Sequence, residues 1–115
     1  MTTVACIQMA SGPNVGANLL EAERLVGMAV DKGASLVVLP ENFCLMPLHE
    51  AHRLRAAEKD GEGHVQDFLA EAARRNKIWL VGGTMPIRSD NPERCRSACL
   101  VFDSDGERRA RYDKI

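Results

Sequence analysis

The sequence predicts an α/β fold. Apolar runs without polar alternation lie at Val4–Met9, Ser35–Leu39 and Ile78–Gly83. Stripes of apolar residues at helical spacing lie between successive runs, and turn-forming residues mark the joints. Runs of that kind suit strands packed within a sheet, and the helical stripes suit helices laid across it.

Val4 to Met9 ends at Ala10-Ser11-Gly12-Pro13, a buried first strand followed by a turn. From Asn14 to Lys32, Leu19, Ala22, Val26, Ala29 and Val30 fall on one face, and Gly33 supplies a left-handed stop. Ser35 to Leu39 predicts a second strand covered on both faces, so that strand, helix and strand form a right-handed βαβ unit. His49 to Gly61 is polar; Ala51, Leu54 and Ala57 allow a short helix in what is mainly a surface excursion. Val65, Phe68, Leu69 and Ala72 mark a helix from Gly63 to Arg75, and Ile78 to Gly83 follows as a third strand. Ala98 to Phe102, a turn at Ser104-Asp105-Gly106, and Glu107 to Asp113 read as an antiparallel hairpin added to the sheet.

Composition narrows the function. A chain of 115 residues can bury roughly 65% of its unfolded surface, enough for one core. Fifteen Lys and Arg against sixteen Asp and Glu, interspersed, leave a net charge of -1 and no basic stripe for nucleic acid or an anionic membrane. A small-molecule partner is expected. The first residues lack a signal peptide's pattern, and no apolar stretch approaches the ~18 residues of a membrane span. With four cysteines of a kind common in reduced interiors, the chain reads as cytosolic. Cys6 and Cys99, inside apolar runs, read as inert core residues, and the Cys95-x3-Cys99 spacing lacks the second ligand pair of a zinc site.

Ligands of open α/β sheets collect at the carboxyl ends of strands, and Pro40-Glu41-Asn42-Phe43 stands there after the second strand. A carboxylate directly behind an apolar run is expected to be partly desolvated, which raises its pKa and suits it to proton transfer near neutral pH. A glutamate that caps a helix or pairs with a surface lysine fits the same position, and position alone does not decide between them. In Tyr112-Asp113-Lys114-Ile115, strand geometry puts Lys114 on the side of Ala110 and Tyr112, the less polar side, expected to face inward because Arg109 and Arg111 lie opposite. An inward lysine near a carboxylate can stabilise an oxyanion, whereas most lysines point to water. Cys44, three residues from Glu41, is the one serious thiol candidate within the chain, with packing near the pocket beside Phe43, Leu45 and Met46 as its ordinary role. His49 and His52 read as solvated rim residues rather than metal ligands.

Two segments carry a family resemblance. Leu36-Val37-Val38-Leu39-Pro40-Glu41-Asn42-Phe43 resembles the catalytic-glutamate motif of the nitrilase, or carbon-nitrogen hydrolase, superfamily. Tyr112-Asp113-Lys114-Ile115 resembles the start of that family's catalytic-lysine motif. The likeness extends through Ile7-Gln8-Met9, Lys32-Gly33-Ala34 and Val81-Gly82-Gly83-Thr84-Met85-Pro86-Ile87. It implies an αββα sandwich, of which residues 1–115 form the N-terminal part, and a Glu-Lys-Cys triad with no metal and no organic cofactor. Glu41 would be the general base and Lys114 the stabiliser of the tetrahedral intermediate. The nucleophilic cysteine would lie beyond Ile115, so the chain is expected to be truncated before it. The implied substrate is a small amide, in preference to a nitrile. Glu41-Asn42-Phe43 followed by Leu45-Met46-Pro47 is most similar to amidases acting on deaminated glutathione and on ω-amides of keto acids. A homodimer is the expected assembly of the complete protein. A sandwich lacking most of its second sheet would leave an apolar face bare. The rival reading is a non-catalytic α/β module that holds a small ligand at the same strand ends.

Overall fold

A computed structural model describes all residues, 1–115. Its elements in chain order are β1 (Val4–Cys6), α1 (Val15–Asp31), β2 (Leu36–Val38), α2 (Glu50–Ala56), α3 (His64–Asn76), β3 (Trp79–Val81), β4 (Met85–Arg88), β5 (Cys95–Phe102) and β6 (Arg108–Asp113). The strands form one mixed sheet in the order β1-β2-β3-β5-β4, with β6 also paired to β5. β1, β2 and β3 are parallel, with Ala5 opposite Val37 and Val37 opposite Leu80. The later pairings are antiparallel. No helix is long and apolar enough to cross a membrane.

α1 forms where its stripe predicts. Asn14 caps its start by accepting from the Ala17 amide at 2.8 Å. Leu19, Ala22, Val26 and Ala29 are buried, Val30 is half-buried, and Gly33 turns the chain at φ 91°. α3 buries Val65, Leu69, Ala72 and Ala73, with Phe68 half-buried at its edge. Its first turn has no cap from Gly63. Glu58 acts instead, its carboxylate accepting from the Val65 amide at 2.7 Å and the Gln66 amide at 3.2 Å. α2 is a short helix with no fully buried residue, as a surface excursion requires.

Alternate residues of the sheet face the core, where Val37, Leu80, Leu100, Ala98 and Ile87 are each 0% exposed. The helices cover this face alone. The opposite face carries the rows Val4–Leu36–Trp79 and Cys6–Val38–Val81–Val101–Ala110, with Cys99 beside Tyr112. These residues are half-buried or exposed, as for Val4 at 51% and Trp79 at 44%. The expectation of strands covered on both faces is thereby corrected for β1 and β2, and Cys6 is exposed rather than core. The cause is that both helices pack on one side, leaving the apolar residues of the other pleat without a partner layer.

β4 is a strand that the sequence reading did not assign, and β5 begins at Cys95, three residues before the predicted Ala98. β3 and β4 run in succession along one edge of β5, with β6 along the other. Val81 faces Val101 and Met85 faces Ala98, so Gly82-Gly83-Thr84 oppose only Cys99 and Leu100, and the extra residue makes a bulge.

Candidate active site

The Glu41 turn leaves β2 at the carboxyl end of the parallel strands. Its far side is anchored in the core: Phe43, Cys44 and Leu45 are 0%, 1% and 2% exposed. Buried Asn18 locks that anchor from α1. Its side-chain amide donates to the carbonyls of Cys44 and Gly12, each at 2.8 Å, and its oxygen accepts from the Gly12 amide at 3.0 Å. The Ser11 hydroxyl donates to the Phe43 carbonyl at 2.7 Å, and the Met46 amide to the Gly12 carbonyl at 2.9 Å. On the near side, the Leu39 amide donates to Val81 and the Asn42 amide to the Thr84 hydroxyl at 2.8 Å.

Lys114 extends the β5–β6 ladder, its amide donating to the Ser97 carbonyl at 2.8 Å. Although Glu41 and Lys114 are 73 positions apart in sequence, the Lys114 ammonium donates directly to Glu41 Oε1. They stand over a cleft of about 420 Å³ whose walls include Val38, Val81, Thr84, Cys99 and Tyr112. Apolar walls with one carboxylate and one ammonium at the mouth form a pocket able to hold a small polar molecule by its reactive end.

Two expectations are corrected here. The Glu41 side chain is 56% exposed, so the apolar run of β2 does not desolvate it; the chain turns out of the core immediately after Leu39. Lys114 does share its side with Tyr112 and Ala110, but that side faces the open cleft. The other side of β6, with Arg111 and Asp113, is the less exposed one: Arg111 bonds to Asp113 at 2.7 Å and to Asp60 at 3.2 Å. The charges of that side are covered by pairing, which alternation of polarity does not reveal.

Cys44, the thiol candidate named from the sequence, lies in the core at 1% exposure rather than in the cleft with the pair. Burial, reinforced by the charge of Glu58, pushes the Cys44 thiol up to about 12. Burial also raises the thiols of Cys95 and Cys99. Cys99 lines the cleft, a placement the sequence reading missed; the period-2 pattern around Val101 was its only signal. The His49 ring accepts from the His52 amide at 3.1 Å and caps α2, so this pair has a structural task. No group of three or more His, Cys, Asp or Glu side chains is arranged to hold a metal ion.

A strand-end carboxylate paired with a lysine on an α/β sheet defines a class of site suited to proton transfer and oxyanion stabilisation. The carbon-nitrogen hydrolase family model matches residues 3–115, and the chain belongs to that family. It is 38% identical over 113 residues to a deaminated glutathione amidase of Yersinia enterocolitica, covering 97% of this chain and 39% of that protein. It is 35% identical over 101 residues to a chloroplastic omega-amidase of Arabidopsis thaliana, covering 85% of this chain and 27% of that one. Among solved structures, Saccharomyces cerevisiae Nit3, a member of branch 10 of the nitrilase superfamily, matches with a TM-score of 0.86 and 27% identity. That match covers 97% of this chain and 43% of Nit3. The chain thus spans about two fifths of the length of the Yersinia relative.

Proposed function

We propose that the complete gene product hydrolyses the carbon–nitrogen bond of a small carboxylated amide and releases ammonia. The observation that carries this reading is the direct contact between Glu41 and Lys114 over the cleft. An exposed ion pair contributes only about 0–1 kcal/mol to stability, so stability alone is a weak reason for joining these two residues. Glu41 acts as general base and Lys114 as oxyanion stabiliser, and a cysteine outside residues 1–115 is the nucleophile. Glu41 takes the thiol proton as sulfur attacks the amide carbon, and Lys114 neutralises the oxyanion. Glu41 returns the proton to the leaving nitrogen, and ammonia departs from a thioester acyl-enzyme. A water deprotonated by Glu41 then releases the carboxylate product. The second sheet of an αββα sandwich would cover the bare face and enclose the cleft.

The substrates to test first are deaminated glutathione and ω-amides of keto acids, in keeping with the names of the relatives. In an ammonia-release assay of the complete protein, Glu41→Gln is expected to lose about 10²–10⁴-fold in rate. Lys114→Ala is expected to lose about 10²–10³-fold, the range for removing an oxyanion donor. Full activity in both variants would overturn these roles.

A further inference from the structure

The Gly82–Thr84 bulge lies where two positional constraints meet. On one side it is tied to β5, since the Gly82 amide donates to the Leu100 carbonyl at 2.8 Å. On the other it supports the Glu41 turn. Gly83, at φ 60°, packs so closely under that turn that a Cβ there would lie 2.0 Å from the Pro40 carbonyl oxygen. Thr84 Oγ1 accepts the amide hydrogen of Asn42, which is held at φ 55°, in the left-handed region. The peptide so gripped is the one between Glu41 and Asn42. Lys114 is referred to the same strand through its bond to Ser97. β5 is therefore the common reference for both members of the pair.

We propose that Thr84 is a positioning residue for Glu41: its hydroxyl fixes the Glu41–Asn42 peptide and thereby aims the carboxylate at Lys114. The buried half of the turn is held separately by Ser11, Gly12 and Asn18, so loss of the Thr84 hydroxyl frees the Glu41 side without dismantling the loop. The proposal rests on the reading of Glu41 as general base.

The test uses Thr84→Val, Thr84→Ser and Glu41→Gln in the complete protein. Thr84→Val keeps the shape and removes the acceptor. It is expected to lower kcat by about 10–100-fold, the scale set by misplacement of a reacting group by ~1 Å, with KM changed by no more than about twofold. Thr84→Ser restores most of the rate. Because Thr84 acts through Glu41, adding Thr84→Val to Glu41→Gln costs nothing further. Independently of activity, the Asn42 amide exchanges its hydrogen at least about tenfold faster in Thr84→Val and stays protected in Thr84→Ser. Wild-type kcat in Thr84→Val beside an inactive Glu41→Gln would overturn the proposal. So would losses that multiply in the double variant, or unchanged exchange at Asn42. An active Glu41→Gln would instead overturn the general-base reading, and the Asn42 exchange would still report whether Thr84 anchors the turn.

Discussion

Between Glu41 and Cys44 the chain passes from the mouth of a cleft into the core, over three residues. That short path gives the two side chains opposite surroundings: Glu41 is 56% exposed, whereas Cys44 is 1% exposed. Cys44 carries a stability consequence. Its thiol stands near 12 in the folded protein against 9.0 for an unperturbed group, so between those values the unfolded chain gives up a proton that the folded chain keeps. Stability is then fully present below pH 9.0 and falls as pH rises toward about 12. The loss should reach about 1 kcal/mol by pH 10 and up to roughly 4 kcal/mol at the top of the range. Urea unfolding of the complete protein at pH 8 and pH 10 checks this, and Cys44→Ala should have the flatter alkaline limb. The family resemblance implied one site for Glu41 and Lys114, but no local pattern in the sequence gives their contact, because it joins segments 73 positions apart.

The elements read most easily were those with local signals at both ends. α1 has Asn14 as its cap, a regular apolar stripe and Gly33 as its stop, all within one stretch of chain. α3 was legible by its stripe but not by its cap, because Glu58 reaches forward seven and eight positions to the Val65 and Gln66 amides of the first turn. Removing that carboxylate should matter: Glu58→Ala is expected to cost about 1–2 kcal/mol, measured as a lower urea midpoint. β4 escaped notice because Pro86 argues against a strand and the Gly82–Thr84 bulge interrupts the two-residue period. Pro86 is accommodated next to the bulge, where its carbonyl accepts from Glu58. The bulge itself has a strict requirement. Gly83→Ala would force the Pro40 carbonyl to move, and is expected to cost more than 1 kcal/mol, about the strain of a side chain at such a φ.

At the scale of the whole molecule, one sheet face is covered by α1 and α3 and the other is bare. The bare face is apolar from Val4 across Val38, Val81 and Val101 to Tyr112, far more continuous than scattered exposed hydrophobics. Residues 1–115 expressed alone are therefore expected to self-associate. Sedimentation velocity over a concentration series checks this, with monodisperse monomer and reversible, cooperative melting as the contrary result. The same face holds the cleft walls, and neither α1 nor α3 packs over it. That geometry explains why the Glu41–Lys114 pair lies open to solvent in this chain.

By itself the sequence determined the α/β class, the two long helices, the parallel pairing of the first two strands, the existence of a third, the hairpin and the two residues worth testing. Each of these is encoded in short-range period, in turn residues or in a contiguous motif. Tertiary structure decided which face of the sheet is covered, which side of β6 looks into the cleft, and that Glu41 meets Lys114 there. It also placed Cys44 in the core, Cys99 in the cleft wall and Thr84 under the Glu41 turn. These outcomes depend on pairings between distant segments, chiefly the antiparallel run of β3 and β4 along β5. A one-residue bulge in that run changes which side chains face which way, and no local pattern records its partner.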